Sequence, residues 1–418
     1  MAVNLAEPGE LFAVPGVRLG SASASVKVSA DPDQSNVAQA QRDDVAVVVF
    51  DAGTTLAGVF TQSGFAAPPV QLCRSRLSTT GAIRALIVNS GNANAATGER
   101  GLADAQRLGA GVAELLGINE KEVLPFSTGV IGEFLPVDRM TRGFARCTQT
   151  LAENQWLGAA KAIMTTDTVA KATSRRFELD GANVTVTGMA KGAGMMRPDM
   201  ATMLAFMACD ASVSETCLQT LVREVADASF NRLSVDGDTS TNDSFVVACT
   251  GQSGGATIDS SAAPGYAQLR AELTSVATEL AQAIVRDGEG ATKFVTVEVS
   301  GGRTQKECAD VAFTVAHSPL VKTAIFAGDP NWGRFCMAIG RAGLTDFDQS
   351  KVSLHLDDVC IARDGLVADD YVEAAAAEVM ALEEYQVLID LGRGAARDAV
   401  WTSDLSYEYV RINAEYRT

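Results

Sequence analysis

The sequence predicts an α+β fold in the form of a layered sandwich, and three observations support it. Short β-branched runs with the composition of buried strands recur between residues 45 and 299, and amphipathic helices lie between them. These elements do not follow the strand-then-crossover order of a doubly wound sheet. Aromatic residues make up only 6% of the chain, so small aliphatic side chains must fill the core.

The elements of the first 300 residues are predicted from periodicity and from turn signals. Asp180-Gly181 between two alternating segments is a strong hairpin signal, and Gly117 ends an amphipathic helix. Ser212 and Glu215 have the spacing of a capping box, which predicts that a helix begins at Ser212. In chain order we expect strands at 45–50 and 83–90, a helix at 105–116, the hairpin, a strand after residue 202, the capped helix, a strand at 244–249, a helix over 269–284 and a strand at 293–299.

A chain of 418 residues is long enough for two domains, and Gly301-Gly302 is the clearest break between them. We therefore predict a main sandwich domain over residues 1–300 and a smaller α+β domain over 301–418. For the smaller domain we expect strands at 352–356, 359–363 and 386–392, an Ala-rich helix at 372–382 and a final element at "YEYVRIN".

Charge and composition exclude several classes of function. The net charge of −17, without a basic run that carries aromatics, argues against nucleic acid as a partner. The eight cysteines stand singly, with no CxxC pair, so we expect no metal site and a reducing compartment. No apolar run approaches the roughly 20 residues that span a bilayer. We expect a cytoplasmic protein that acts on small molecules and does not bind a membrane.

The supply of histidine limits the chemistry. His317 and His355 are the only histidines, and His355 lies in an alternating strand-like segment. No GxGxxG or GxxxxGK[ST] motif is present, which disfavours nucleotide binding, and the supply of only two histidines disfavours a histidine-based nucleophile. Asp236 to Asp243 lack the later glutamate of a calcium loop and indicate a polar turn. A hydroxyl nucleophile activated without histidine remains.

A threonine at a chain N-terminus is such a nucleophile, because its own α-amine accepts the hydroxyl proton. Thr202 in "KGAGMMRPDMATMLAF" (191–206) would gain this amine if the bond after Ala201 were cut, and the apolar run after it would hold the new terminus. In "PFSTGVIGEFLP" (125–136), a Ser-Thr-Gly turn offers a hydroxyl and backbone N–H groups for an oxyanion. Taken singly, each segment is better explained as an ordinary loop or turn.

Taken together, the motifs resemble the ornithine acetyltransferase family, the glutamate N-acetyltransferases of arginine biosynthesis, over essentially the whole chain. Eight motifs in the expected order carry the resemblance: "VNSGNANAATG" (88–98), "PFSTGVIG" (125–132), "MTTDT" (164–168), "KGAGMMRPDMATMLAF" (191–206), "SVDGDTSTNDS" (234–244), "DGEGATK" (287–293), "AGDPNWGR" (327–334) and the terminal "NAEYRT".

The resemblance implies an αββα sandwich of the self-processing type that uses an N-terminal nucleophile. It implies cleavage between Ala201 and Thr202, giving chains of 1–201 and 202–418, with two copies of each in the assembly. Thr202 would be the nucleophile, and Thr128 and Gly129 would form the oxyanion hole. The family's substrate-contacting positions match Thr168, Lys191, Thr202, Glu289, Asn413 and Thr418.

The reaction implied is transfer of an acetyl group from N2-acetylornithine to L-glutamate through an acetyl-Thr202 ester, with no metal or other cofactor. Some family members also take the acetyl group from acetyl-CoA, so acetyl-CoA stays open as a co-substrate. Two alternatives also stay open: a self-processing aminopeptidase or amidase of related fold, in which water is the acceptor, and a non-catalytic binding protein with an intact chain.

Overall fold

The computed structural model describes residues 2–27, 42–79, 81–197 and 203–415. Its strands are β1 (Val17–Ala22), β2 (Val45–Phe50), β3 (Thr55–Phe60), β4 (Ala85–Asn89), β5 (Val123–Ser127), β6 (Lys171–Leu179), β7 (Ala182–Lys191), β8 (Leu204–Cys209), β9 (Leu233–Ser234), β10 (Ser244–Cys249), β11 (Phe294–Gly302), β12 (Ser353–Leu356), β13 (Val359–Arg363), β14 (Leu366–Val367), β15 (Glu384–Asp390) and β16 (Ala396–Ser403). Its helices are α1 (Pro68–Thr79), α2 (Gly98–Leu116), α3 (Val137–Gln149), α4 (Trp156–Ala162), α5 (Glu215–Ala228), α6 (Tyr266–Arg286), α7 (Gln305–Ala316), α8 (Pro319–Ala327), α9 (Trp332–Gly340), α10 (Glu373–Ala381) and α11 (Tyr407–Ala414).

Two sheets pack face to face and form the centre of the molecule. The first has the order β1-β2-β4-β5 and the second the order β3-β10-β8-β7-β6. Their facing side chains share one core, in which the ring centroids of Phe126 and Phe206 lie 5.0 Å apart. The outer face of the first sheet packs on α2 and α3, and that of the second on α5 and α6. The layers therefore follow the order helix, sheet, sheet, helix, which confirms the predicted fold class.

A third sheet, in the order β14-β13-β12-β15-β11-β16-β9, has a separate core with α7, α8, α9 and α10. The predicted first domain, residues 1–300, includes the strand predicted at 293–299. In the structure this strand, β11, lies in the middle of the third sheet between β15 and β16. It therefore packs with the elements that follow it, and the division of the chain into two domains at residue 300 stays a prediction.

The strongest turn signals in the sequence are confirmed. β6 and β7 form the predicted hairpin, and Asp180 (φ 48°) and Gly181 (φ 82°) both have the left-handed conformation of a tight two-residue turn. Gly117 (φ 65°) caps α2 through its backbone N–H. His355 lies in β12, as expected for a strand residue.

Two expectations were incomplete or wrong. The helix predicted to begin at Ser212 begins at Glu215, because Val213 pairs with Ile258 and Ser214 is the residue whose side chain caps the helix at Cys217 N. The sequence patterns predict no elements between 303 and 351, where α7, α8 and α9 lie. Within the described ranges, no helix is both long and apolar enough to span a bilayer.

Candidate active site

A cavity of about 170 Å³ lies where strands of the two central sheets end. Thr128 follows the end of β5 in the first sheet, and Lys191 is the last residue of β7 in the second. The loop after β7 and the C-terminal helix α11 close the cavity. Its lining consists of Ala93, Thr128, Gly129, Ile131, Thr165, Thr166, Lys191, Ala193, Gly194, Met195, Ser240, Thr241, Asn242, Glu289 and Asn413.

The backbone holds Thr128 and Gly129 tightly. The N–H of Thr128 donates to the carbonyl of Asn89 at 3.0 Å, in continuation of the pairing of β4 with β5. Gly129 has a φ of 132°, and a Cβ atom at this position would lie 2.3 Å from the carbonyl carbon of Gly91. Only glycine fits this close approach of two backbones. The predicted oxyanion pair therefore lies in a fixed turn on the cavity wall.

Lys191 forms a hydrogen bond with Thr128, one of the two residues of this pair. Its side chain is buried, and its Nζ donates to Thr128 Oγ1 at 3.0 Å. Burial lowers the pKa of Lys191, while the nearby Asp167 opposes this shift. A hydroxyl that accepts from an ammonium group retains its own proton for another acceptor. The bond therefore leaves Thr128 able to donate to an oxygen atom in the cavity.

A buried ion cluster fixes the loops around Lys191. The Nζ of Lys171 lies 2.7 Å from a carboxylate oxygen of Asp167 and 2.7 Å from one of Asp287. Asp167 also accepts from the N–H of Gly192 at 2.8 Å and from that of Thr165 at 2.9 Å. Burial alone would raise the pKa of Asp167, but Lys171 and Lys191 hold it below its usual range. The cluster thus ties the loop after β7 to the segment with Thr165.

Thr168 contacts this cluster and does not line the cavity. Its hydroxyl donates to Asp287 Oδ1, and its N–H donates to Asp287 Oδ2 at 2.9 Å. Its neighbours Thr165 and Thr166 line the cavity in its place. The predicted contact between Thr168 and a substrate stays a prediction.

Glu289 and Asn413 come together on the cavity wall although 124 positions separate them in the sequence. Asn413 Nδ2 donates to Glu289 Oε2 at 2.9 Å, and α11 carries Asn413 into this position. The N–H of Glu289 donates to the carbonyl of Ala193 at 2.8 Å, and a Cβ on Gly194 would lie 2.5 Å from Glu289 Oε2. Glu289 is the one acidic residue among those that line this cavity in the described chain.

Asp243 and Ser244, which are not among the predicted site residues, hold the segment that begins at Met203. The N–H of Met203 donates to Asp243 Oδ1 at 3.0 Å, and the carbonyl of Met203 accepts from Ser244 N at 3.0 Å. Asn242 lines the cavity and donates to the carbonyls of Ala93 and Ser127. Burial raises the pKa of Asp243 well above its usual value. The "TSTND" run was interpreted as a polar turn, although its Asn and Asp are buried.

Asp236 holds the segment that precedes residue 198. Its two carboxylate oxygens accept from the N–H groups of Met195 and Met196, each at 2.7 Å. His317 lies outside the cavity, where its Nε2 is 2.7 Å from the hydroxyl oxygen of Ser234. Among the described residues, no group of three or more His, Cys, Asp or Glu side chains is arranged to hold a metal ion. Ala201, Thr202 and Thr418 lie outside the described residues.

A cavity that offers a hydroxyl and a fixed glycine turn to an oxyanion suits an enzyme that transfers an acyl group. Comparisons with known proteins agree with this class. The family model described as ArgJ family matches residues 31–418. A relative from Pseudomonas fluorescens, named arginine biosynthesis bifunctional protein ArgJ, is 50% identical over 418 residues, which is the full length of both chains. The protein is an acyltransferase of arginine biosynthesis, and it belongs to the ArgJ family, as its motifs predicted.

Two solved structures are also similar to this chain. One is an arginine biosynthesis bifunctional protein ArgJ from Bacillus halodurans, with 35% identity and a TM-score of 0.47, covering 49% of this chain and 95% of that chain. The other is an ornithine acetyltransferase from Mycobacterium tuberculosis in complex with ornithine, with 32% identity and a TM-score of 0.37, covering 46% of this chain and 94% of that chain.

Proposed function

We propose that this protein transfers the acetyl group of N2-acetylornithine to L-glutamate, which gives ornithine and N-acetylglutamate. The observation that carries the proposal is the bond from Lys191 to Thr128 on the wall of a cavity that also contains Glu289. A volume of about 170 Å³ suits a substrate of amino-acid size. The family membership and the full-length similarity to arginine biosynthesis proteins support the choice of substrate.

In this proposal the nucleophile is Thr202, freed by cleavage after Ala201. The firm hold on Met203 supports the assignment, because the residue next to the nucleophile is fixed by hydrogen bonds on both sides. The new α-amine accepts the hydroxyl proton, since such an amine has a pKa of roughly 7.7 to 8.0 and is partly neutral near physiological pH. The products of cleavage are chains of 1–201 and 202–418, which we expect to assemble as two copies of each.

The transfer proceeds in two half-reactions. Thr202 Oγ attacks the acetyl carbonyl carbon while the α-amine takes its proton, and the Thr128 hydroxyl and the Gly129 N–H donate to the oxyanion. The C–N bond to ornithine then breaks, and the leaving nitrogen receives the proton. In the second half the amino group of glutamate attacks the acetyl ester, and Thr202 regains its hydroxyl proton. Lys191 positions the Thr128 hydroxyl and adds positive charge near the oxyanion.

Glu289 supplies the recognition of the donor. In the proposal its carboxylate binds the side-chain ammonium group of N2-acetylornithine, and the bond from Asn413 to Glu289 supports this role because it fixes the carboxylate on the cavity wall. Thr168 and Thr418 complete the set of substrate contacts in the proposal. Acetyl-CoA is a second donor, as the word bifunctional in the names of the relatives suggests. All eight cysteines lie in described segments and are free thiols, which suits the reducing conditions of the cytoplasm.

The test is the replacement Thr202→Ala in the full-length chain. We expect a single uncut chain of 43.7 kDa on a denaturing gel and no transfer, whereas the unchanged protein gives two fragments, one of which begins at Thr202. Turnover of N2-acetylornithine by the unchanged protein should depend on glutamate. Turnover that proceeds equally well in water alone would favour an amidase, and an uncut active protein would refute the nucleophile.

A further inference from the structure

A second cavity, of about 230 Å³, shares a wall with the catalytic cavity. Gly129, Thr165 and Thr166 line both cavities. The second cavity therefore reaches the proposed oxyanion turn from a different side. At its rim are two exposed cationic side chains, Lys27 and Arg42. No step of the transfer between N2-acetylornithine and glutamate uses this cavity.

The charges at this cavity favour an anionic ligand. Asp44 is the one acidic residue that lines it among the described residues, and its two carboxylate oxygens are occupied. They accept from the N–H of Ala24 at 2.5 Å and from that of Val26 at 2.7 Å. Arg42 donates to the carbonyl of Lys161 at 3.0 Å and keeps further N–H groups that can donate to a ligand. In a chain with a net charge of −17, two cations and one carboxylate leave a net positive charge among the residues that line this cavity.

The volume of the catalytic cavity limits which donor it can hold completely. Pockets for drug-sized ligands measure roughly 300 to 1,000 Å³. The catalytic cavity, at about 170 Å³, has room for an acetylated amino acid but not for a coenzyme A thioester. If acetyl-CoA donates an acetyl group at Thr128 and Gly129, the coenzyme A part of the molecule must extend out of the catalytic cavity. The second cavity adjoins the catalytic cavity and can hold this part, and Lys27 and Arg42 at its rim can bind the phosphate groups.

We infer that the second cavity binds the phosphate-bearing arm of a coenzyme A thioester, with Lys27 and Arg42 as phosphate ligands and the acetyl group directed past Gly129 into the catalytic cavity. This inference rests on the proposed function, because it assigns a position to the second donor. It also gives the two donors separate routes into the catalytic cavity. N2-acetylornithine enters from the side of Glu289, and the thioester enters from the second cavity, past Thr165 and Thr166. Thr202 Oγ attacks the thioester carbonyl carbon, the C–S bond breaks, and the proton that the α-amine takes from the Thr202 hydroxyl passes to the sulfur. The thiol of coenzyme A then leaves through the second cavity.

The test is the double replacement Lys27→Glu and Arg42→Glu in the full-length chain. The matched control is Lys121→Glu with Arg223→Glu, which changes the charge equally at two exposed positions that line neither cavity. Initial rates are measured for three donors with glutamate as acceptor: acetyl-CoA, S-acetylpantetheine, which lacks the phosphates, and N2-acetylornithine. Thermal unfolding of each variant confirms that it is folded.

We expect the KM for acetyl-CoA to rise about tenfold or more in the double variant, and the rise to shrink at high salt, because exposed charge pairs are screened. The KM values for S-acetylpantetheine and N2-acetylornithine should not change, and the control variant should match the unchanged protein. An unchanged KM for acetyl-CoA, or an equal rise for S-acetylpantetheine, would overturn the inference. If the unchanged protein transfers from N2-acetylornithine but not from acetyl-CoA, the inference is wrong and the main reaction stands. If it transfers from neither donor, the proposed function fails as well.

Discussion

The buried ammonium group of Lys191 donates to the hydroxyl oxygen of Thr128 across 3.0 Å and joins the ends of two strands from different sheets. Lys191 ends β7 in the second sheet, whereas Thr128 follows β5 in the first. The bond therefore exists only when the two sheets are packed against each other. The packing of the two sheets therefore fixes the orientation of the Thr128 hydroxyl. The bond also explains why a lysine occupies a buried position.

Replacement of Lys191 by methionine should lower kcat for acetyl transfer by about 10- to 100-fold, because the Thr128 hydroxyl loses its fixed orientation and the oxyanion loses a nearby charge. The chain offers a matched control in Lys322, another buried lysine, which donates to Thr402 Oγ1 at 3.1 Å and does not line the cavity. Lys322→Met should lower thermal stability but leave kcat unchanged. Steady-state kinetics and thermal unfolding of both variants check this prediction, and equal losses of kcat would contradict it.

Glu289→Gln should raise the KM for N2-acetylornithine about 10- to 100-fold and change kcat little, because a neutral amide cannot pair with the ammonium group of the donor. The amide oxygen can still accept from Asn413, so the local structure should persist. Glu114→Gln on the exposed face of α2 serves as the control. A loss confined to kcat would show that Glu289 takes part in the chemical step instead.

Gly129→Ala should destabilise the protein by more than the roughly 1 to 3 kcal/mol of backbone strain alone, because the new Cβ would meet the backbone of Gly91 at 2.3 Å. Gly132→Ala is the matched control: its φ of 87° is also positive, but a Cβ there has nothing within 4 Å. The free energy of unfolding from denaturant titrations gives the comparison. Equal losses for the two variants would mean that the approach of Gly91 to Gly129 does not matter.

His317 should make stability depend on pH. Burial, with Arg197 and Lys322 nearby, lowers its pKa from 6.5 to about 4. The unfolded chain therefore binds a proton that the folded chain refuses. The stability from neutral His317 is fully present above pH 6.5 and is lost as the pH falls through 4, a loss of about 3 kcal/mol. In His317→Gln the free energy of unfolding should fall less over this range, and an unchanged pH dependence would contradict the assignment.

Much of the central sandwich could be predicted from the sequence, because its signals are local. The hairpin at Asp180-Gly181 and the end of α2 at Gly117 both require residues with a positive φ. Asp-Gly and Gly are the residue types that adopt this conformation most readily, so the sequence reveals both turns. The prediction of Ser212 as the N-cap of α5 is wrong. The hydroxyl residues at 212, 214 and 216 offer similar capping signals, and only the pairing of Val213 with Ile258 selects Ser214. β11 was assigned to the first domain because its partners β15 and β16 lie far along the chain.

The site residues illustrate the same limit. Thr128, Gly129, Lys191, Glu289 and Asn413 were expected together from motifs, and the structure brings all five to one cavity. Asp243 and Asn242 were overlooked because a polar run with many hydroxyls has the composition of a surface turn. Their burial results from the parallel pairing of β10 with β8, a contact between segments about 40 residues apart that no local pattern reveals.

The most direct test of the account is the mass of the fragment 202–418 after the protein is mixed with N2-acetylornithine in the absence of glutamate and then quenched in acid. We predict that this fragment becomes heavier by one acetyl group, that peptide mapping places the group on Thr202, and that added glutamate removes it at the rate of N-acetylglutamate formation. A fragment whose mass never changes during turnover, or an acetyl group that glutamate does not remove, would contradict the acetyl-Thr202 intermediate.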